Sequence, residues 1–473
     1  MSDNHFNIAV LGTGPGGYIA ALKAAQLGAS VAVVEKGLLG GTCLNNGCIP
    51  SKALLASAEL LHQIAHAGEL GVDVEGAVSF DWPTIQQRKD KVLATLRGGI
   101  KGLFGARKVK VFQGHGRLTG PGAIAVEGKK PATLTADTVI LAVGSTPSRI
   151  PGWPADPAIV CTSDEALHWK ALPKRLVIVG GGVIGCEFAC MMQPLGVNVT
   201  IVEMMPRLLP EMDAELADAL AATFKRRKIA VHTDTKVEDL KTTGKGVSVT
   251  LSNGETLAAD KVLVATGRRP ATDDIGLEAV GLETDRGFIR VNDRMETAVK
   301  GLYCIGDANG RCLLAHAASA HGVTAVENAL GHGRDFTAAI PWCVYTFPEI
   351  AGVGLTSQKA AETGLPISVG MFPLGHLGKA MATGHGEGFV KVVRHRETDA
   401  LLGVHMVGHN ATEVIAAAGC MLDRQATTRE LAEIVFAHPT ISEAVKESAE
   451  DALHAALHLP PRRIIKAVAD VQS

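Results

Sequence analysis

The chain has 473 residues, which suits about three ordinary domains rather than one core. Hydrophobic residues make up 47% and charged residues 20%, an ordinary globular balance, and a net charge of −2 gives no electrostatic case for nucleic acid or an anionic membrane surface. The opening residues, Met1-Ser-Asp-Asn-His-Phe-Asn, carry neither a basic nor an apolar region, so no secretory signal is expected and a cytoplasmic location is the reading.

In chain order, Ile8 to Leu11 is an apolar strand leading into Gly12-Thr13-Gly14-Pro15-Gly16-Gly17. A helix from Tyr18 to Leu27 stops at Gly28, and the next strand, Ser30 to Val34, ends in Glu35. This is the order of a dinucleotide-binding unit. Gly12 permits the tight turn, Gly14 lets backbone N–H groups approach a pyrophosphate, and Gly17 lets helix and strand pack closely. Glu35 can accept hydrogen bonds from ribose hydroxyls. The run Gly40-Gly-Thr-Cys43-Leu-Asn-Asn-Gly-Cys48-Ile-Pro-Ser-Lys52 follows almost at once. Two cysteines this close, beside a nucleotide loop, read as a redox-active dithiol working next to a bound cofactor.

The strand Thr138 to Val143 ends at Gly144, and then the unit repeats. Arg175 to Val179 leads into Gly180-Gly181-Gly182-Val183-Ile184-Gly185, a helix to Leu195, Gly196 as its stop, and a strand ending in Glu203. Gly180, Gly182 and Gly185 repeat the roles of the first loop, and the acid follows at the same distance in both copies. Glu187 is the one charge between Leu176 and Val202, but the glycines and Pro194 there oppose a membrane span. A strand ending at Gly267 and another, Leu302 to Gly306, come later. The second runs into Asp307, an acid at a strand's C-terminal end, where α/β folds bind ligands. A dithiol exchanges electrons well with a flavin, so FAD is assigned to the first unit and NAD to the second. Glu203 would repel a 2′-phosphate, although Arg207 lies nearby.

Nine cysteines at irregular spacing do not form a secreted disulfide framework, and Cys186 and Cys190, four apart on a helix, read as buried structural thiols. No metal site is expected.

With GGTCLNNGCIPSK (40–52), GGGVIGCE (180–187), ATGRRP (265–270), IGDA (305–308), LLAH (313–316), YTFPEIAGVGLT (345–356) and AHPTISE (437–443), nearly the whole chain resembles the dimeric flavoprotein disulfide reductases. Pro-Ser-Lys after the second cysteine resembles the lipoamide-linked branch; glutathione-type reductases usually have Lys in place of that Ser. The resemblance implies an α/β fold with two Rossmann-like dinucleotide-binding domains plus a C-terminal α+β dimerisation domain. Its expected divisions are 1–150 (FAD and disulfide), 151–278 (NAD), 279–345 (a central segment returning to the FAD domain) and 346–473 (dimerisation). It also implies a homodimer that oxidises protein-bound dihydrolipoyl groups and reduces NAD, serving the lipoyl domains of a 2-oxo acid dehydrogenase or glycine cleavage complex. No lipoyl domain is expected ahead of the flavin unit.

Residue by residue, the resemblance makes Cys43 the interchange thiol and Cys48 the thiol against the flavin. Lys52 would lie near the flavin and pair with Glu187, and Asp307 would bond the ribityl chain. His438, from the partner subunit, would be the general base, oriented by Glu443. The chemistry calls for such a base, because the thiolate is the nucleophile and ordinary thiols are mostly protonated at neutral pH. Thr440-Ile-Ser-Glu443 also fits a helix capping box in which Glu443 only satisfies an N–H. Val143, His409 and residues 375–380 depart from the family pattern, and the role of the extension after Pro460 is open. The alternative activities are NAD(P)H-dependent reduction of another disulfide or of mercuric ion. The mercuric reading wants a cysteine pair near the C-terminus, whereas the last cysteine is Cys420.

Overall fold

The structure is a computed structural model and describes residues 4–460 apart from Ala155 and Lys245; the extension at 461–473 lies outside the described residues. The chain divides into two compact units. One comprises residues up to 66, 73–205 and 229–337; the other comprises 67–72, 206–228 and 338 onward.

The first unit opens with β1 (His5–Leu11), α1 (Pro15–Gln26) and β2 (Val31–Glu35), the two strands parallel with Leu11 opposite Val34. Their near-continuous apolar character follows from cover on both faces. Ile8 and Val10 pack with Ala20 and Ala24 of α1, and Ala9 and Leu11 pack with Leu118 and Ile124. Gly28, at φ +89°, ends α1 in a conformation that a side chain would strain. Next come α2 (Gly41–Asn46), α3 (Cys48–Ala65) and the long α4 (Trp82–Ala106), capped by Asp81. After β3 (Lys110–Gln113), the hairpin β4 (His115–Gly120) and β5 (Ala123–Glu127) leads to β6 (Ala132–Leu141), giving the strand order β3-β2-β1-β6-β5-β4. β6 starts earlier than the apolar run at Thr138. Its first half alternates between exposed and buried where it pairs with β5, so hydrophobicity alone does not mark it.

A short β7 (Ser145–Pro147) precedes the second copy: β8 (Val160–Thr162), α5 (Ser163–Ala166), β9 (Arg175–Val179), α6 (Val183–Met192) and β10 (Asn198–Val202). The helix α7 (Ala214–Arg226) belongs to the second unit. β11 (Ala230–His232) and the antiparallel β12 (Val237–Thr243), β13 (Gly246–Leu251) and β14 (Thr256–Ala259) follow, then β15 (Lys261–Val264) and β16 (Arg268–Pro270). The parallel order is β11-β10-β9-β15-β8, and β16 pairs with β7. The charge-poor stretch from Leu176 to Val202 is therefore β9–α6–β10. Among the described residues no helix is long and apolar enough to cross a membrane. Cys186 and Cys190 are fully buried in α6, and burial pushes the Cys186 thiol well up. The chain then returns through β17 (Leu302–Cys304), which joins β6, and α8 (Ala315–Ala329), which packs on α1.

The second unit is built on β18 (Trp342–Val344), β19 (Glu349–Gly354), α9 (Ser357–Glu362), β20 (Ile367–Pro373), α10 (Gly378–Ala382), β21 (Phe389–His395) and β22 (Leu401–Gly408). Its sheet is antiparallel, in the order β18-β19-β22-β21-β20. Helices α11 (Ala411–Asp423), α12 (Thr428–Glu433) and α13 (Glu443–Ala452) complete a core around Phe372, Val390, Val404 and Val445. The buried Lys391 ammonium lies 2.9 and 3.0 Å from the carboxylate of Asp213, the cap of α7, and 2.7 Å from Ser357 Oγ. Such a pair is costly to break once buried, so it pins α7 to this sheet. Despite its burial, Lys391 holds the Asp213 carboxyl below its usual range. Of the family departures, His409 stacks on His385 with ring centroids 3.8 Å apart, and Val143 packs on the first unit's core.

The glycine loops generate one prediction. A Cβ on Gly185 would stand 2.0 Å from the backbone oxygen of Gly180, whereas one on Gly182 meets nothing within 4 Å. Gly185→Ala should cost about 2–3 kcal/mol of stability, and Gly182→Ala under about 0.5 kcal/mol, as read by thermal unfolding of the two variants.

Candidate active site

The two nucleotide loops are built on the same contacts. At Gly12, with φ +96°, a Cβ would lie 2.4 Å from Ala142 O, and at Gly17 one would lie 2.1 Å from Gly12 O. The second copy repeats this at Gly180, 2.4 Å from Ala265 O, and at Gly185. Gly14 and Gly182, by contrast, face open space, and each begins a helix with no side-chain cap. Uncapped helix N–H groups beside bare backbone fit the phosphates of a dinucleotide. Gly144 (φ +71°) and Gly267 (φ +113°) likewise have open space where a Cβ would stand.

The acids do more than the sequence suggests. Glu35 accepts from Thr13 N at 2.9 Å, Thr13 Oγ1 at 2.6 Å and Gly37 N at 2.7 Å, which fastens the loop to β2. Glu203 accepts from Gly181 N at 2.5 Å and Met205 N at 2.7 Å. A carboxylate has about four lone-pair directions, so both retain capacity for ribose hydroxyls.

Gly41 brings the dithiol to the first loop. Its φ is +62°, and a Cβ there would fall 2.4 Å from the Cα of Gly14. Cys43 lies on α2, and Cys48 is the first residue of α3. The two thiols are unequal. The hydrogen bond to Cys48, then burial, pushes the Cys43 thiol well up. That bond from Cys43 draws Cys48 down to about 7; burial opposes the effect, the Lys52 ammonium assists it and Glu187 opposes it. Lys52, one turn along α3, is 2.9 and 2.8 Å from the two carboxylate oxygens of Glu187 on α6.

Sequence reasoning missed the partners of Asp307. Ser145 Oγ donates to Asp307 Oδ2 at 2.5 Å, and Arg268 Nε donates to Ser145 Oγ at 2.7 Å. These two residues begin β7 and β16, directly after Gly144 and Gly267, so the paired strands carry them together. The only available signal was their place behind the two strand-end glycines.

The thiols, Lys52, Glu187 and Asp307 lie in the first unit, and His438 and Glu443 lie in the second. His438 Nδ1 is 2.9 Å from Glu443 Oε1, while Glu443 Oε2 accepts from Thr440 N at 2.8 Å. The capping-type bond and the imidazole bond coexist, one on each carboxylate oxygen. Burial would raise the Glu443 carboxyl, but the Thr440 N–H and His438 hold it below its usual range. A carboxylate accepts only, so it favours the proton on Nδ1 and leaves Nε2 of a neutral ring free to take one.

Two nucleotide loops, a dithiol between them and a separate histidine–carboxylate pair define a class, and comparison with known proteins agrees. Residues 6–322 match the pyridine nucleotide-disulphide oxidoreductase family and 340–449 match its dimerisation domain; the chain belongs to this family. It is a homodimeric flavoprotein oxidoreductase with FAD and NAD as cofactors. Among its relatives, the dihydrolipoyl dehydrogenase of Bacillus subtilis is 42% identical, over 96% of this chain and 99% of that one. That of Chlorobaculum tepidum is 43% identical, over 95% and 97%. The crystal structure of LpdA from Mycobacterium tuberculosis superposes with a TM-score of 0.88 at 30% identity, covering 94% of this chain and 99% of that one.

Lys52 lowers Cys48, and Glu187 without its partner would raise it further. Lys52→Met is therefore expected to move the Cys48 midpoint up from about 7, cutting its thiolate fraction below that pH about tenfold. The pH profile of Cys48 alkylation in the reduced protein reads this.

Proposed function

We propose that the chain oxidises protein-bound dihydrolipoyl groups to lipoyl and reduces NAD, as the dehydrogenase component of a 2-oxo acid dehydrogenase or glycine cleavage complex. The observation that carries the reading is the placement of the cysteine pair: Cys43 on α2 and Cys48 at the start of α3 follow Gly41, which meets the first nucleotide loop, and the Lys52–Glu187 ion pair lies one turn beyond Cys48. The 42% identity to a dihydrolipoyl dehydrogenase supports the substrate.

The thiol chemistry follows from the disulfide form of the pair. His438 of the partner subunit takes the proton from one dihydrolipoyl thiol, and the resulting thiolate attacks Cys43 Sγ. The Cys43–Cys48 bond breaks, and Cys48 leaves as the thiolate that Lys52 favours. The second dihydrolipoyl sulfur, also deprotonated, attacks the mixed disulfide and closes the lipoyl ring, and Cys43 departs and is protonated. Glu443 holds the His438 ring and steadies its positive charge between these transfers. FAD, when bound, accepts the electron pair of the dithiol and passes it to NAD. The Asp307–Ser145–Arg268 chain would hold the flavin's ribityl side, and Glu203 would select NAD over NADP. Scattered single cysteines besides the working pair suit a reducing compartment, the cytoplasm.

Anaerobic addition of dihydrolipoamide should bleach the flavin and raise a long-wavelength absorbance, and NAD should then yield NADH. Absence of either change would sink the proposal, and faster turnover with NADPH than NADH would favour a reductase of another disulfide. Cys43→Ser is expected to abolish turnover. His438→Gln should lower kcat by about 10²–10⁴-fold while the stoichiometry of bound FAD is unchanged, as steady-state kinetics and flavin absorbance would show.

A further inference from the structure

Lys89 of α4 is a buried ammonium, 1% exposed, that the thiol chemistry does not use. A buried cation survives only with its donors satisfied. Its Nζ lies 2.7 Å from Gln86 Oε1, 3.1 Å from Leu167 O, 3.0 Å from His168 Nδ1 and 3.1 Å from Asp90 Oδ1. Lysine donates and never accepts, so His168 must accept at Nδ1 and carry its proton on Nε2. That Nε2 is 3.2 Å from Asn46 Oδ1, to which it therefore donates. Asn46 is the last residue of α2, the short helix that carries Cys43.

The neighbouring residue is tied in the same way. Asn45 Oδ1 accepts from Arg97 of α4 at 3.0 Å, and its amide donates to Leu39 O at 3.1 Å and Gly41 O at 2.9 Å. Gly47 then bends the chain so tightly that a Cβ there would be 3.2 Å from the Cα of Cys43. The end of α2 is thus fastened to α4 at two adjacent residues, just ahead of Cys48.

We infer that His168 is a positioning residue for the dithiol: through Asn46 it ties the end of α2 to the fixed Lys89, keeping the Cys43 thiol turned toward Cys48. The assignment rests on the proposed function, in which Cys48 is the flavin-side thiolate. The bond from Cys43 is the largest influence lowering Cys48. Loosening α2 weakens that bond, and Cys48 holds its proton more tightly. His168 itself is exposed, so its replacement leaves the core intact.

The test follows Cys48 in the reduced, FAD-loaded dimer by residue-resolved iodoacetamide alkylation against pH. In His168→Ala, Cys48 should react about fivefold more slowly on the acid side of its midpoint, the factor that one ordinary hydrogen bond supplies. Asn46→Ala should behave alike. His168→Gln, whose amide can accept from Lys89 and donate to Asn46, should return the rate to within about twofold of native. An unmoved Cys48 profile in His168→Ala, or a loss that His168→Gln does not rescue, overturns the assignment alone. A native protein whose Cys48 titrates like an ordinary thiol overturns the assignment, and one that yields no NADH from dihydrolipoamide and NAD overturns the proposed function on which it rests.

Discussion

The arrangement depends on one backbone contact, Gly41 against Gly14. Only bare backbone allows the dithiol segment to lie this close to the loop that receives the first dinucleotide, since a Cβ would fall within 2.4 Å of a Cα. With this contact made, α2 and α3 start over the cofactor loop, and Lys52 on the first turn of α3 reaches Glu187 on α6. That ion pair links the start of the first dinucleotide unit to the start of the second. Electron transfer needs short distances, and two glycines with no reactive group of their own supply one of them.

The inequality of the two thiols is electrostatic and geometric together. Neither sulfur is unusual by sequence. Cys48 becomes the better thiolate because Cys43 donates to it and Lys52 lies beside it, and Cys43 is correspondingly raised. Such a division suits sequential chemistry, in which one sulfur meets the substrate while the other holds negative charge. The environment, more than residue type, assigns the two roles.

Much of this was legible in the chain. The glycine loops, their strands and the closing acids have fixed spacing because each glycine answers a particular close approach, and those approaches are present at Gly12, Gly17, Gly180 and Gly185. The cysteine pair and the His438–Glu443 pair were readable because short segments carry them. Residues whose meaning depends on distant partners were not readable. Ser145 and Arg268 find Asp307 only because β7 and β16 pair, and Lys89 looks like one more helix-surface lysine until Leu167 and His168 fold over it. The first half of β6 alternates instead of staying apolar, so its start was placed too late. The reading of Glu443 as either a capping residue or the histidine's partner posed a false choice, because a carboxylate has two oxygens and this one uses both.

The two dinucleotide loops share a plan but differ at one position. Where the first has Thr13, bonded to Glu35 through both its N–H and its hydroxyl, the second has Gly181, which offers its acid a single N–H. The first loop is also roofed by Gly41, a Cβ on which would fall 2.4 Å from the Cα of Gly14. A duplicated unit has thus become a berth and a doorway. The copy braced by more bonds and roofed by Gly41 suits a lodger that stays through every catalytic cycle, and the copy held by fewer suits a visitor that arrives oxidised and leaves reduced.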